Sequence, residues 1–251
     1  MTTIGILGAG QLAEMMVRGL QGTDYRFILS PRGADMAKRL ADTYGCAIAT
    51  SNQEVVDRSA GVFVALPAAG GMAELSRLRF RPGQPVLSAM AGTRADALAA
   101  AIGPACGDMA MMPGYANALR IGPSILFPGT PFWQAFLGCV GPVLVLETEE
   151  RFVAAAAFGA LSGASFAWMA QIIDWFAAQG LPHDQARSLV AATLRGNAEV
   201  LLCEGRTTAE ILQSVATPGG ITELLVAKLV ETEGLQAWDR GLDAVAKRLK
   251  G

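Results

Sequence analysis

Histidine is almost missing from this 251-residue chain, which carries one, His183. It lies in Leu181-Pro182-His183-Asp184 at the start of a helical stretch, where a solvated N-terminal residue is expected rather than a catalytic acid. Cysteine is nearly as scarce. The four residues Cys46, Cys106, Cys139 and Cys203 form no C-x-x-C pair and have no neighbouring histidine. Metal-site spacing is therefore absent, and a disulfide framework does not suit a chain with so much core-forming residue. The four thiols are expected to be free and buried or half-buried. Charge is low too, at 17% of residues with a net charge of −2, and no basic run or aromatic ladder occurs. No nucleic-acid partner is therefore expected. Met1-Thr2-Thr3 leads straight into an apolar strand with no charged leader, so a cytoplasmic protein is expected.

What the chain has is apolar residue, 52% of the total, with a mean hydropathy of +0.36. Part of its apolar surface is therefore expected to be covered by another chain. Short apolar runs at residues 3–7, 26–29, 47–49, 61–66, 86–91 and 109–112 alternate with helical stretches. Such runs read as strands of a buried parallel sheet with helices on both faces. Ser51 and Glu54 form a capping-box pattern at one helix start. After a last strand at 143–146 only helices follow, near 149–179, 183–204, 207–215, 220–232 and 235–249. The expected fold is α/β, an N-terminal Rossmann-type doubly wound sheet over 1–148 followed by an all-helical dimerisation domain over 149–251. Phe152 to Ile173 contains no charged residue and holds Gly159-x-x-x-Gly163. It is long enough to cross a bilayer, but it is rich in Ala, Gly and Ser and has no flanking Lys/Arg cluster. A central helix of a dimeric helical domain, not a membrane span, is expected.

Chemistry begins at Gly8-Ala9-Gly10-Gln11-Leu12-Ala13, which follows the first strand and opens a helix. In that setting Gly8 permits a tight turn, Gly10 lets backbone approach a pyrophosphate, and Ala13 permits close helix–strand packing. The anion then sits over free N–H groups at the positive end of the helix. An NAD site usually places an acidic residue about 20 positions on, at the end of the second strand. Here Ser30-Pro31-Arg32 stands there instead. A hydroxyl and a guanidinium suit a 2′-phosphate, so NADPH is expected over NADH.

A second motif lies in the helical half. Thr217-Pro218-Gly219-Gly220-Ile221-Thr222-Glu223 precedes an amphipathic helix. Two glycines at a helix start present backbone N–H groups with no side chains in the way, which suits a carboxylate. The same tripeptide also serves as a plain turn.

The order of elements resembles that of the pyrroline-5-carboxylate reductase family over essentially the whole chain. The motifs that carry the resemblance are Ile6-Leu7-Gly8-Ala9-Gly10-Gln11-Leu12-Ala13, Ala91-Gly92-Thr93, Met112-Pro113, Leu161-Ser162-Gly163 and above all Thr217-Pro218-Gly219-Gly220-Ile221-Thr222. The resemblance implies NADPH-dependent hydride transfer to a cyclic imine carboxylate such as 1-pyrroline-5-carboxylate, and an interlocked homodimer or a multiple of it. It implies that Leu66, Pro67, Ala91 and Pro113 line the dinucleotide with Gly8, Ala9, Gly10, Gln11, Leu12, Ser30 and Arg32. Gly219, Gly220, Ile221 and Thr222 would meet the substrate, with Thr222 hydrogen-bonding the ring nitrogen.

The chain departs from the family pattern on the side of the first domain. The family's V-K-P is Ala65-Leu66-Pro67, its M-P-N-T-P is Met112-Pro113-Gly114-Tyr115-Ala116, and an arginine before that motif is Ala110. The family's S-G-S-G-P-A-Y is Ser162-Gly163-Ala164-Ser165-Phe166-Ala167-Trp168. Two other readings stay open on the sequence. One is an NADP-binding regulatory homologue; the other is an oxidoreductase for a different imine, aldehyde, hydroxy acid or deazaflavin.

Overall fold

Apolar strands that alternate with amphipathic helices bury most surface as a twisted sheet with helices on both faces. A computed structural model of the chain describes residues 1–250, without the side chain of Lys250. β1 (Thr2–Leu7), β2 (Tyr25–Leu29) and β3 (Ala47–Ile48) run outward on one side, joined by α1 (Gln11–Gly19) and α2 (Ala34–Tyr44). α3 (Asn52–Asp57) leads back to β4 (Gly61–Val64) on the other side of β1. α4 (Ala68–Leu75), β5 (Pro85–Ser88), α5 (Ala95–Ile102) and β6 (Cys106–Met111) extend that side. α6 (Tyr115–Ala118), β7 (Ser124–Phe127), α7 (Pro131–Gly138) and β8 (Val143–Val145) complete it. The eight strands lie in the order β3-β2-β1-β4-β5-β6-β7-β8. Every neighbouring pair is parallel except β6 and β7.

Successive strand residues point to opposite faces, so the sheet has two cores. On one face Ile4, Ile6, Phe63, Leu87 and Leu126 meet Met16 and Leu20 from the α1 region and Trp133, Phe136 and Leu137 from α7. The Trp133 and Phe136 rings stand edge to face, 5.3 Å between centroids. On the other face Val62, Val64 and Val86 meet Val55, Leu75, Leu98 and Ile102 from α3, α4 and α5. Burying each such side chain stabilises the fold by roughly 1.5–3 kcal/mol. At the start of α3 the Ser51 Oγ accepts the Glu54 N–H at 3.1 Å, as expected of a cap. The Glu54 carboxylate reaches back to the hydroxyl and N–H of Thr50 rather than to Ser51. Those two donors, helped by Arg58, hold Glu54 at a pKa of about 2.

Two features near the end of this sheet differ from the sequence expectation. β7 escapes a reading of apolar runs because it has four residues with proline on either side, and it turns antiparallel to β6. The helix expected over 149–179 is two helices, α8 (Glu149–Ala155) and α9 (Phe158–Ala178). Compact units divide at Gly159/Ala160, and the first unit includes the described residues from Ala246 onward. The cause is α8, which packs on the sheet: Phe152 is buried with its ring 6.5 Å from that of Phe127. Glu149 Oε1 also accepts the Ala95 N–H at 3.0 Å, capping α5 from a distant part of the chain.

The second unit runs from Ala160 to Val245 and is built from helices. After α9 come α10 (His183–Cys203), α11 (Thr208–Val215), α12 (Ile221–Glu231) and α13 (Gln236–Lys250). The Thr207 hydroxyl accepts the Glu210 N–H, and the Glu210 carboxylate accepts the Thr207 N–H, so a capping box starts α11. α9 has no buried side chain among the described residues. Phe166, Trp168 and Trp175 are exposed. The continuous segment Glu149–Ala178 is long and apolar enough to cross a membrane by length and composition alone. All four cysteines are free. Cys46 is buried and Cys139 half-buried as expected, but Cys106 at the start of β6 and Cys203 at the end of α10 are exposed.

Candidate functional site

β1 and β4 are neighbours whose following connections diverge, which opens a crevice at their C-terminal ends. Gly8 sits there at φ +99, a conformation that side chains rarely adopt. A Cβ on Gly8 would lie 2.5 Å from the Ala65 carbonyl oxygen and 3.0 Å from the Leu66 nitrogen. Glycine is thus required twice over, by conformation and by contact. Gly10 is the N-cap of α1, and a Cβ there would meet nothing within 4 Å. The first i→i−4 bond of α1 runs from the Glu14 N–H to the Gly10 carbonyl at 3.0 Å. The amides of Gln11, Leu12 and Ala13 therefore precede the helical ladder and carry its positive end. Ala13 is fully buried, where a larger side chain would lift the helix off the sheet. Open space above three early amides fits a diphosphate.

The end of β2 closes against this loop. Ser30 Oγ accepts the Gly8 N–H at 3.1 Å, and a Cβ on Gly33 would lie 2.8 Å from the Ala9 carbonyl oxygen. Arg32 is fixed between these two contacts, with its side chain 76% exposed. Ser30, by contrast, is buried. Its oxygen accepts from the glycine turn, and its own O–H is left to donate. Arg32 has a neighbour that the sequence reading missed, Glu74 of α4, whose Oε2 is 4.0 Å from its guanidinium. No local pattern joins residues so far apart in the chain.

The ends of β4, β5 and β6 form the rest of the crevice. Leu66 is half-buried, and Pro67 is the N-cap of α4. After β5 the Met90 side chain fills the space beside Gly71, and Thr93 Oγ1 donates to the Met90 carbonyl at 2.9 Å. Met90, Ala91, Gly92, Thr93, Ala110 and Met111 line one small open cavity together with Phe152, Val153 and Ala156 from the α8 region and Leu249 of α13. Ala110 is buried in β6, so the site of the family's arginine offers no charge. After Pro113 the chain turns at Gly114, against Leu12 and Met15, and the Tyr115 hydroxyl meets the Gln11 side chain. Asn117 is fully buried. Its Oδ1 accepts the Gly114 N–H at 3.0 Å and its Nδ2 donates to the Gly122 carbonyl at 2.8 Å. It holds the whole connection from β6 to β7, a role that sequence patterns did not flag.

In the second unit Gly219 has φ +73 and Gly220 is the N-cap of α12. The expectation that all amides from Gly219 to Thr222 await an anion is corrected. The Gly219 N–H donates to the Glu223 carboxylate at 2.6 Å, and the Gly220 N–H donates to the Thr217 carbonyl at 2.8 Å. Both bonds are local, closing the turn onto the first turn of α12. The amides of Ile221 and Thr222 precede the first helical bond, from the Leu224 N–H to the Gly220 carbonyl. Thr222 is half-buried and Ile221 exposed. His183 Nε2 lies 3.7 Å from Asp174 Oδ1, both side chains exposed.

Residues 150–251 match the family model for pyrroline-5-carboxylate reductase dimerisation. Residues 3–92 match the model for NADP oxidoreductase, coenzyme F420-dependent. The chain is 26% identical to the pyrroline-5-carboxylate reductase of Corynebacterium melassecola, over 99% of this chain and 97% of that protein. The chain is thus similar over its full length to pyrroline-5-carboxylate reductases, and its helical half matches their dimerisation model. The fold agrees. The crystal structure of 1-pyrroline-5-carboxylate reductase from Streptococcus pyogenes matches with a TM-score of 0.88 at 22% identity, covering 99% of this chain and 98% of that one. The Plasmodium falciparum pyrroline carboxylate reductase with NADP bound matches with a TM-score of 0.87 at 14% identity, covering 99% and 97%. The family's dimerisation model begins inside α8, so it spans the break between the helices that the sequence reading ran together.

Proposed function

We propose that this chain is a soluble, cytoplasmic, NADPH-dependent oxidoreductase that reduces a cyclic imine carboxylate such as 1-pyrroline-5-carboxylate, acting as a homodimer or a multiple of it. The observation that carries the reading is the glycine turn: Gly8 packed on Ala65, tied to Ser30, with Gly10 leaving the first amides of α1 open.

When bound, the dinucleotide supplies a hydride to the carbon of the C=N bond. The chain's residues do the rest by position and charge. The Gln11, Leu12 and Ala13 amides hold the diphosphate at the positive end of α1. Arg32 faces the 2′-phosphate. Ala91, Gly92 and Pro113 bring short side chains to the strand ends, leaving room for a flat ring. In the second unit the Ile221 and Thr222 amides hold the substrate carboxylate, and Glu223 gives up Gly219 when the substrate arrives. The Thr222 hydroxyl hydrogen-bonds the ring nitrogen. A cyclic imine enters protonated, so hydride addition to carbon gives the amine with no proton required from the protein. Aligning the two reactants supplies much of the rate. That is consistent with a lone histidine left in solvent.

The test is NADPH consumption by the purified protein with cyclic imino acids and, separately, with open-chain aldehydes and hydroxy acids. Turnover with 1-pyrroline-5-carboxylate or a ring homologue supports the reading. Turnover only with open carbonyls, or tight NADPH binding without any turnover, overturns it in favour of another oxidoreductase or a regulatory homologue.

A further inference from the structure

We propose that Glu74 is a specificity-determining residue of the dinucleotide site, opposing the 2′-phosphate at Arg32 so that NADH is accepted alongside NADPH. The inference rests on the dinucleotide reading of the first unit. By sequence, the end of β2 carries a cation and no acid, which predicts a strong preference for the phosphorylated cofactor. The fold supplies the missing acid from α4.

Glu74 Oε2 stands 4.0 Å from Arg32 Nη1, too far for a firm ion pair and close enough to act on any anion that Arg32 meets. Its other oxygen, Oε1, accepts the Asn52 side-chain amide at 2.6 Å. Asn52 Oδ1 is buried with no partner. The Asn52 amide is thus committed to holding Glu74 while its own acceptor goes unmatched. The two charges differ in freedom as well as sign. The Arg32 side chain is 76% exposed, whereas that of Glu74 is 18% exposed. A solvent-facing guanidinium therefore stands beside a carboxylate held by Asn52.

Arg32 is anchored at the glycine turn by its neighbours, Ser30 bonded to Gly8 and Gly33 packed on Ala9. A 2′-phosphate that reaches Arg32 gains one attraction and meets one repulsion of similar range. A 2′-hydroxyl carries no charge, so NADH is spared the repulsion. The preference for NADPH is then smaller than Arg32 alone would give.

Calorimetric titration of the full chain with NADPH, NADH, adenosine 2′,5′-bisphosphate and AMP tests this without turnover. Glu74→Gln keeps the acceptor for Asn52 and removes the charge. It is expected to tighten NADPH and the bisphosphate by about five- to tenfold at low salt, less at high salt, with NADH and AMP nearly unchanged. Glu74→Ala, checked for an unchanged melting temperature, is expected to act in the same direction. An unchanged NADPH-to-NADH ratio in both variants overturns the role of Glu74 and leaves the dinucleotide site standing. Failure of the unmutated chain to bind either dinucleotide overturns both.

Discussion

Ser30 Oγ accepts the Gly8 N–H at 3.1 Å, tying the end of β2 to the turn at the end of β1. Ser30→Ala leaves the Gly8 donor unpaired in a closed place, which costs about 1–3 kcal/mol. Thermal unfolding is expected to show that loss, and titration is expected to show weaker binding of NADPH and NADH alike. Gly8→Ala is harsher. Its Cβ would stand 2.5 Å from the Ala65 carbonyl oxygen at φ +99, and nucleotide binding is expected to vanish. Selective loss of NADPH alone in Ser30→Ala would show a direct phosphate contact from the serine hydroxyl instead.

Asn117→Ala removes the buried amide that joins Gly114 to Gly122. Two backbone groups lose their partner at once, and a loss of about 2–4 kcal/mol is expected. At this chain length that lowers Tm by roughly 4–16 °C in calorimetry. A shift under 2 °C, roughly the effect of losing half a kcal/mol, would show the connection to be held by other contacts.

The strand–helix alternation of the first unit was legible because buried parallel strands are short apolar runs, and every run from Thr3 to Met112 became a strand or its end. The start of α12 was legible from Pro218-Gly219-Gly220 ahead of an amphipathic run. β7 was not, because four residues between prolines give no period to read. The break between α8 and α9 was hidden for a different reason: Ala156 and Ala157 are good helix formers, and the packing of Phe152 and Ala156 on the sheet is not visible in sequence. The glycine loop was legible as a motif, whereas its electrostatics were not. Glu74 reaches Arg32, and Glu223 reaches Gly219, only through the folded chain.

Burial pushes the Cys46 thiol up to about 11 from 9.0. The thiolate is disfavoured in the fold, so the unfolded chain releases this proton first. The stability contributed by the neutral thiol is full below pH 9 and falls as pH rises toward 11. Native labelling with a thiol reagent at pH 8, read by mass spectrometry, is expected to modify Cys106 and Cys203 and to spare Cys46. Equal labelling of Cys46 and Cys106 would contradict its burial.

Phe166, Trp168 and Trp175 of α9 are 58%, 40% and 58% exposed in the single chain. Their covering by a second copy predicts a dimer or a multiple of it in sedimentation at micromolar concentration. Phe166→Glu together with Trp175→Glu is expected to yield monomer or aggregate, since obligate interfaces resemble a core cut in half. A stable, active monomer of the unmutated chain would refute this.

The most direct measurement is isotope transfer from NADPH deuterated at the reactive nicotinamide carbon to 1-pyrroline-5-carboxylate, followed by mass spectrometry of the product. The expected result is proline carrying one deuterium at the former imine carbon with the unmutated chain, and none with Gly8→Ala. Deuterated cofactor that binds tightly and stays intact with every cyclic imino acid offered would contradict imine reduction by this protein.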